Sequence, residues 1–308
     1  MISDKLYILK SPKTIDRPHV PRAVVATPDG EALVTGMYDG TIKVYSSKGN
    51  YDGTLKGLDA NQILPTMEGH VRSVESLTVS SDGALIISGS YDYTVRVWDF
   101  KTAKCLKTLE GHTRRVRSVA ISPDGKYIVS GSDDETIKIW DLKTGECIRT
   151  LDGHSDRVAS VVITADNTQL ITGAEDNTVK VWNLKNGECI QTLEGHTDYI
   201  TTVAVTTDSQ KAVSGSKDHT IKIWDLQTGQ CIQTLTGHSK SVGSIAITPD
   251  DKYIVSGSYD NTVKVWDFKN FKIVHDFQHE SSIYTICLLS AHECVTGDLF
   301  ANIIVWPI

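Results

Sequence analysis

The dipeptide Gly-His recurs at a step of 42 residues, ending at His70, His112, His154, His196 and His238. Trp98, Trp140, Trp182, Trp224 and Trp266 keep the same step, as do Asp92, Asp134, Asp176, Asp218 and Asp260. Four cysteines, Cys105, Cys147, Cys189 and Cys231, follow it too. A period shared by several residue types means a chain built from stacked supersecondary units, none of which can bury its apolar surface alone.

One unit shows the local structure. VRSVAI at 116–121 is followed by SPDG, KYIVSGS, DDE, TIKIWDL, KTGE and CIRTLDGH. These are four β-prone runs separated by turn chemistry, because Pro-Asp-Gly and Thr-Gly supply the restrained and positive φ values that tight turns need. In TIKIW, Ile137 and Ile139 face one way and Thr136, Lys138 and Trp140 the other. Each unit is therefore expected to be a four-stranded antiparallel meander. Neither a helical period nor a βαβ unit is found.

A Gly-His to Trp-Asp unit of about 40–45 residues with four strands resembles the WD-repeat pattern. The dipeptides are Trp98-Asp99, Trp140-Asp141, Trp224-Asp225 and Trp266-Asp267, with Trp182-Asn183 as a variant. The resemblance covers the whole chain and implies an all-β, seven-bladed β-propeller of four-stranded antiparallel blades in one domain, 1–308. Five units are plain. Residues 22–45 match three strands, with Asp39 at the repeated Asp and Tyr45 replacing Trp. Residues 283–308 match another three and carry Trp306, with His279 at the Gly-His position and Phe300 where Asp is expected. By the resemblance, the N-terminal strand, about 4–10, completes this last blade and closes the ring. Tyr45 to His70 spans 25 residues where Trp98 to His112 spans 14, which places an 11-residue insertion within about 46–61, on the bottom rim.

Each full unit carries a set of four side chains at fixed offsets. The sets are His70, Ser88, Asp92, Trp98; His112, Ser130, Asp134, Trp140; His154, Thr172, Asp176, Trp182; His196, Ser214, Asp218, Trp224; and His238, Ser256, Asp260, Trp266. A carboxylate, imidazole, hydroxyl and indole N–H can satisfy one another in a buried chain, and each would be costly alone. They resemble the structural tetrad of WD-repeat families. Five copies fit a scaffold rather than catalysis, and no Gly-x-Ser-x-Gly elbow accompanies them. No catalytic residue, cofactor or metal is assigned. The repeated cysteines fall on successive outer strands, too far apart for a disulfide or a converging zinc site, so buried or half-buried free thiols are the default.

A net charge of −7 argues against nucleic acid and anionic membranes as partners. The longest N-terminal apolar run is 6–9, well short of the roughly 7–15 residues of a secretory signal, and no stretch approaches about 18. A monomeric intracellular chain is expected, cytoplasmic in the first instance with the nucleus second.

The resemblance also implies where binding occurs. WD-repeat families mostly bind peptides or other domains on the top face around the central channel. Three positions per blade usually point there: three and five residues after the Gly-His histidine, and one before the tetrad Asp. These are Ser73, Glu75 and Tyr91; Arg115, Arg117 and Asp133; Arg157, Ala159 and Glu175; Tyr199, Thr201 and Lys217; and Ser241, Gly243 and Tyr259. The terminal blades add Val20, Arg22 and Tyr38, and Ser282, Tyr284 and Leu299. The tetrads repeat while these positions differ, and Tyr and Arg, both enriched at binding hot spots, are frequent among them. The expected function is a non-catalytic protein-protein interaction scaffold, with Arg115, Arg117 and Arg157 receiving an acidic or phosphorylated segment. The alternatives are a substrate-recognition adaptor of a ubiquitin ligase or other multi-protein complex, and an RNA-binding propeller. Some ligase adaptors carry Trp-Asp-x-Arg, where this chain has Lys101, Lys143, Lys185, Gln227 and Lys269.

Overall fold

Short β-branched runs bounded by Asp-Gly, Asp-Asn and Thr-Gly turns leave each unit no alternative to a meander. In the computed structural model, which describes residues 7–9, 20–46, 66–298 and 302–308, every regular element is a strand. In blade three, Val116–Ile121, Tyr127–Ser132, Ile137–Asp141 and Cys147–Leu151 pair antiparallel in that order. The chain forms seven such sheets. Blade one contains Pro21–Ala26, Ala32–Met37 and Ile42–Ser46, and a two-way backbone bridge between Ile42 and Met67 marks its fourth strand. The insertion expected at 46–61 lies outside the described residues beyond Ser46.

Blade seven consists of Ile283–Ser290, Glu293–Asp298 and Ile303–Pro307, and its fourth strand is Tyr7–Leu9. The N-terminal strand pairs Tyr7 with Val305, Ile8 with Ile304 and Leu9 with Ile303. The first and last parts of the chain thus share one sheet. A core cluster of Val24 and Leu33 from blade one with Val295, Ile303 and Val305 from blade seven seals the remaining seam. Closure removes an edge at which the stack of blades would otherwise expose apolar surface.

The core lies between blades. Val129, Ile137 and Ile139 of blade three pack on Val158, Leu170 and Trp182 of blade four, while Trp140 packs on the other side against Ile87, Val95 and Val97 of blade two. Both faces of a blade are therefore buried, and the alternation in TIKIW sorts residues between two neighbours rather than between core and water. The Ser-Gly-Ser of each second strand follows from this crowding. A Cβ added at Gly131 would lie 2.7 Å from Val158 Cγ1 of the next blade. Backbone-to-serine bonds tie successive first strands: the N–H groups of Val119, Val161 and Val203 donate to Ser76, Ser118 and Ser160 Oγ at 3.0, 3.0 and 3.1 Å.

The tetrads link the loop before the first strand to the second and third strands. In blade three, Trp140 Nε1–H donates to Ser130 Oγ (2.9 Å), the Ser130 hydroxyl bonds His112 Nε2 (2.7 Å), and His112 Nδ1 bonds Asp134 Oδ2 (2.8 Å). Asp134 also accepts from the N–H groups of Thr113 and Thr136 and from the Thr136 hydroxyl. The same chain of bonds recurs around His70, His154, His196 and His238, with Thr172 serving as the hydroxyl in blade four. Blade seven departs from it. Trp306 Nε1–H donates to Thr296 Oγ1, but the carboxylate is Asp298, which accepts from the Ser281 hydroxyl at 2.7 Å. Asp298 stands two residues before Phe300, which is not among the described residues.

One expectation is overturned. Cys105, Cys147, Cys189 and Cys231 are exposed rather than buried or half-buried, because the fourth strand is the outer rim of each blade and only one residue near its end, such as Leu151, packs inward. Cys287 and Cys294, in the buried hairpin of blade seven, are free as well. Burial pushes the Cys287 thiol up to about 12 and raises Cys294 further.

Two predictions follow from this packing. Burial raises the tetrad carboxyls, but hydrogen bonds from His, Thr and backbone N–H outweigh it and hold Asp92, Asp134, Asp176, Asp218 and Asp260 below 3.8, with Asp260 at about 2. Burial also lowers His70 and His238 below 6.5 against the pull of their aspartates. In both cases the unfolded chain binds more protons as pH falls, so stability is lost on the acid side. The melting temperature should be level from about pH 7 to 8, decline gently below about 6.5 and fall steeply below about 4, and the buried thiols Cys287 and Cys294 should make it fall again above about 9, as a pH series of thermal melts would show. Gly131→Ala should wedge blades three and four apart at a cost of about 1–3 kcal/mol, and Gly131→Ala with Val158→Ala should recover part of it in urea melts.

Candidate functional site

The top of the channel is built by the ends of the first strands and by the turns between second and third strands. Backbone bonds fix each turn to the loop beside it: the N–H groups of Tyr91, Asp133, Glu175, Lys217 and Tyr259 donate to the carbonyls of Ser73, Arg115, Arg157, Tyr199 and Ser241. These pairs place the residue before each tetrad Asp next to the residue three after the histidine. The tetrad therefore positions the site without entering it.

A cavity of about 420 Å³ opens at the channel mouth. Arg22, Glu75, Tyr91, Arg117, Glu175, Tyr199, Lys217, Tyr259 and Tyr284 line it, with Ala159, Thr201, Ser241 and Gly243. Ile200 also contributes and is not at one of the three positions carried over from the family. Tyr38 lines a second cavity of about 450 Å³ between blades one and two. Arg115, Asp133 and Arg157 line neither cavity. Val20 is buried and Ser282 caps the blade-six turn through the Tyr259 carbonyl, while Leu299 lies outside the described residues.

The arginines expected to receive an acidic segment are largely engaged by the chain itself. Arg117 Nε donates to Asp133 Oδ1 at 2.6 Å, and its Nη2 lies 3.4 Å from Glu175 Oε1. Arg157 Nη1 is 3.4 Å from Glu175 Oε2, and Arg115 Nε is 3.6 Å from Asp133 Oδ2. Burial alone would weaken the Arg117 charge, but its two carboxylates more than restore it. The result is a row of alternating charge, Arg115, Asp133, Arg117, Glu175 and Arg157. Sequence reading finds the residues but not this pairing, because the partners come from separate blades.

Elsewhere on the mouth, cations lie against phenol rings. Arg115 sits 4.1 Å from the Tyr91 ring centroid and donates from Nη1 to its hydroxyl at 2.6 Å. Lys217 Nζ is 4.8 Å from the Tyr199 ring, and Arg22 lies between Tyr38 and Tyr284 at 5.4 and 5.6 Å. Tyr284 meets Tyr259 edge to face at 5.2 Å, and burial raises the pKa of both phenols. Neither Arg22 nor Lys217 has a carboxylate partner among the described residues. The mouth is also lopsided. The position five after the histidine is Ala159, Thr201 and Gly243 in blades four to six, against Glu75 and Arg117 in blades two and three. A Cβ at Gly243 would lie 2.6 Å from the Ile283 carbonyl oxygen, and the Thr201 hydroxyl turns into the wall toward the Val242 carbonyl. The open volume therefore favours the side under Tyr199, Lys217 and Tyr259. Among the described residues no helix is long and apolar enough to cross a membrane.

Comparison with known proteins agrees with this geometry. The family model for "WD domain, G-beta repeat" matches residues 11–46, 61–99, 103–141, 145–183, 187–225 and 229–267. Blade seven falls outside those matches, consistent with its altered tetrad and its Trp306-Pro307 in place of Trp-Asp. Among curated relatives, the chain is 33% identical over 76 residues to the Periodic tryptophan protein 2 homolog of Schizosaccharomyces pombe, covering 25% of this chain and 8% of that protein. It is 33% identical over 91 residues to the WD repeat-containing protein pop2 of the same yeast, covering 27% and 13%. It is 30% identical over 82 residues to the Ribosome biogenesis protein WDR12 homolog of Drosophila persimilis, covering 25% and 19%. The chain thus spans less than a fifth of the length of these relatives. With six matched repeats and seven blades, the chain belongs to the WD40-repeat family.

Proposed function

We propose that this propeller is a non-catalytic scaffold that binds peptide segments or domains of partner proteins at the channel mouth on its top face. One observation carries the reading: five blades repeat their tetrads, yet the residues around the mouth are individual and combine four tyrosines with cations in one concave site. Tyr offers contact area with few rotors to immobilise, and a rigid frame lowers the ordering cost of binding. The recognised segment is acidic or phosphorylated, and its anion is placed by Lys217 and Arg22 rather than by the arginine trio. Displacing Asp133 or Glu175 from Arg117 would leave a half-buried charge unpaired, whereas Lys217 has no carboxylate to give up.

The test is a quantitative pull-down from source-cell lysate with wild type beside Lys217→Glu/Tyr259→Ala. Neither residue belongs to a tetrad, so the melting temperature should hold within about 2 °C. Captured partners should fall at least about tenfold, the loss expected when hot-spot residues are removed. Equal capture by both proteins would move the working surface away from the mouth.

A further inference from the structure

One residue of blade two breaks the repeat where nothing in the fold requires it. The residue after the Gly-His histidine is Thr113, Ser155, Thr197 or Ser239 in blades three to six, but Val71 in blade two. Val71 is 80% exposed, more than any other large hydrophobic residue described. The Val71 N–H donates to Asp92 Oδ2, which fixes this corner of blade two.

That corner borders a cavity of about 450 Å³ lined by Tyr38, Asp39, Val71, Arg72, Ser73 and Tyr91. Tyr38, Val71 and Tyr91 make half of its lining aromatic or aliphatic. Its charges are unequal in availability. Asp39 Oδ1 accepts from the N–H and hydroxyl of Thr41, while exposed Arg72 has no carboxylate partner among the described residues. Arg115, stacked on Tyr91 behind that wall, is engaged by Asp133.

We propose that the groove between blades one and two is a second docking site for a partner-protein segment that carries an aliphatic or aromatic anchor next to an Asp or Glu. The anchor packs on Val71, Tyr38 and Tyr91, and the carboxylate pairs with Arg72. This inference rests on the top face being the protein-binding face, and it adds a site beside the channel mouth, with Tyr91 in the wall of both.

Fluorescein-labelled dodecapeptides test it by fluorescence polarisation: a central Leu or Phe flanked by Asp and Glu, the same anchors flanked by Lys, and the acidic frame with a central Ala. Wild type should bind the acidic anchored peptides at least tenfold more tightly than either control. Val71→Thr, which gives blade two a residue its sister blades carry, should lose at least tenfold with a melting temperature within about 2 °C of wild type. Arg72→Glu should abolish the preference for acidic flanks. No discrimination among peptides by wild type, or unchanged binding by Val71→Thr, would overturn the proposal. In the pull-down, partners lost by Lys217→Glu/Tyr259→Ala but kept by Val71→Thr would leave the mouth as the working site and this groove refuted. Partners kept by both variants would refute both sites.

Discussion

A hydroxyl with no access to water sits at the centre of each repeated blade. Ser130 is fully buried and accepts from Trp140 while bonding His112. An unsatisfied donor or acceptor there would cost about 1–3 kcal/mol, so the indole, hydroxyl, imidazole and carboxylate stand or fall together. Their joint effect is geometric. The network fixes the loop before the first strand against the turn between the second and third, and the mouth is built from those turns and from the ends of the first strands. The channel mouth is thus positioned by a polar chain that runs beneath it.

Burial on both faces explains the rest of the sequence pattern. A blade sandwiched between neighbours needs apolar residues in both registers, which is why Ile139 and Trp140, adjacent in sequence, both vanish from the surface into different clusters. It also leaves few places for charge. Charged side chains collect on the two rims and the outer strands, and on the top rim they meet across blade boundaries, as Arg117 of blade three does with Glu175 of blade four.

These constraints set what could be read from residues alone. The tetrads and the blades were legible because each is a local pattern repeated at a fixed step, whereas the closure by the N-terminal strand followed from the resemblance to WD-repeat families. The exposed thiols were not, since Cys105 and its sisters alternate like core residues on a strand whose outer position only the assembled ring reveals. Asp298 was missed because it substitutes for Phe300 from two residues earlier, off the repeat register. The Ser76, Ser118 and Ser160 bridges between first strands do keep the 42-residue step, so the same search extended to them would have found them.

Sister blades in one chain provide their own control for reading departures. Lys138, Lys180 and Lys222 each donate from Nζ to a threonine hydroxyl across the strand, at 2.9 Å. In blade six the threonine position is Asp276, and Lys264 pairs with it at 2.6 Å. That change is answered by its neighbour and is complete within the fold. Asp298 with Ser281 is likewise answered. Val71 differs in kind: it exposes an aliphatic side chain where the sister blades carry Ser or Thr. A departure compensated inside the fold speaks to stability, and one left uncompensated at the surface speaks to something outside it. By that criterion the groove at blades one and two is distinguished by the fold's own repetition, independently of any likeness to other proteins.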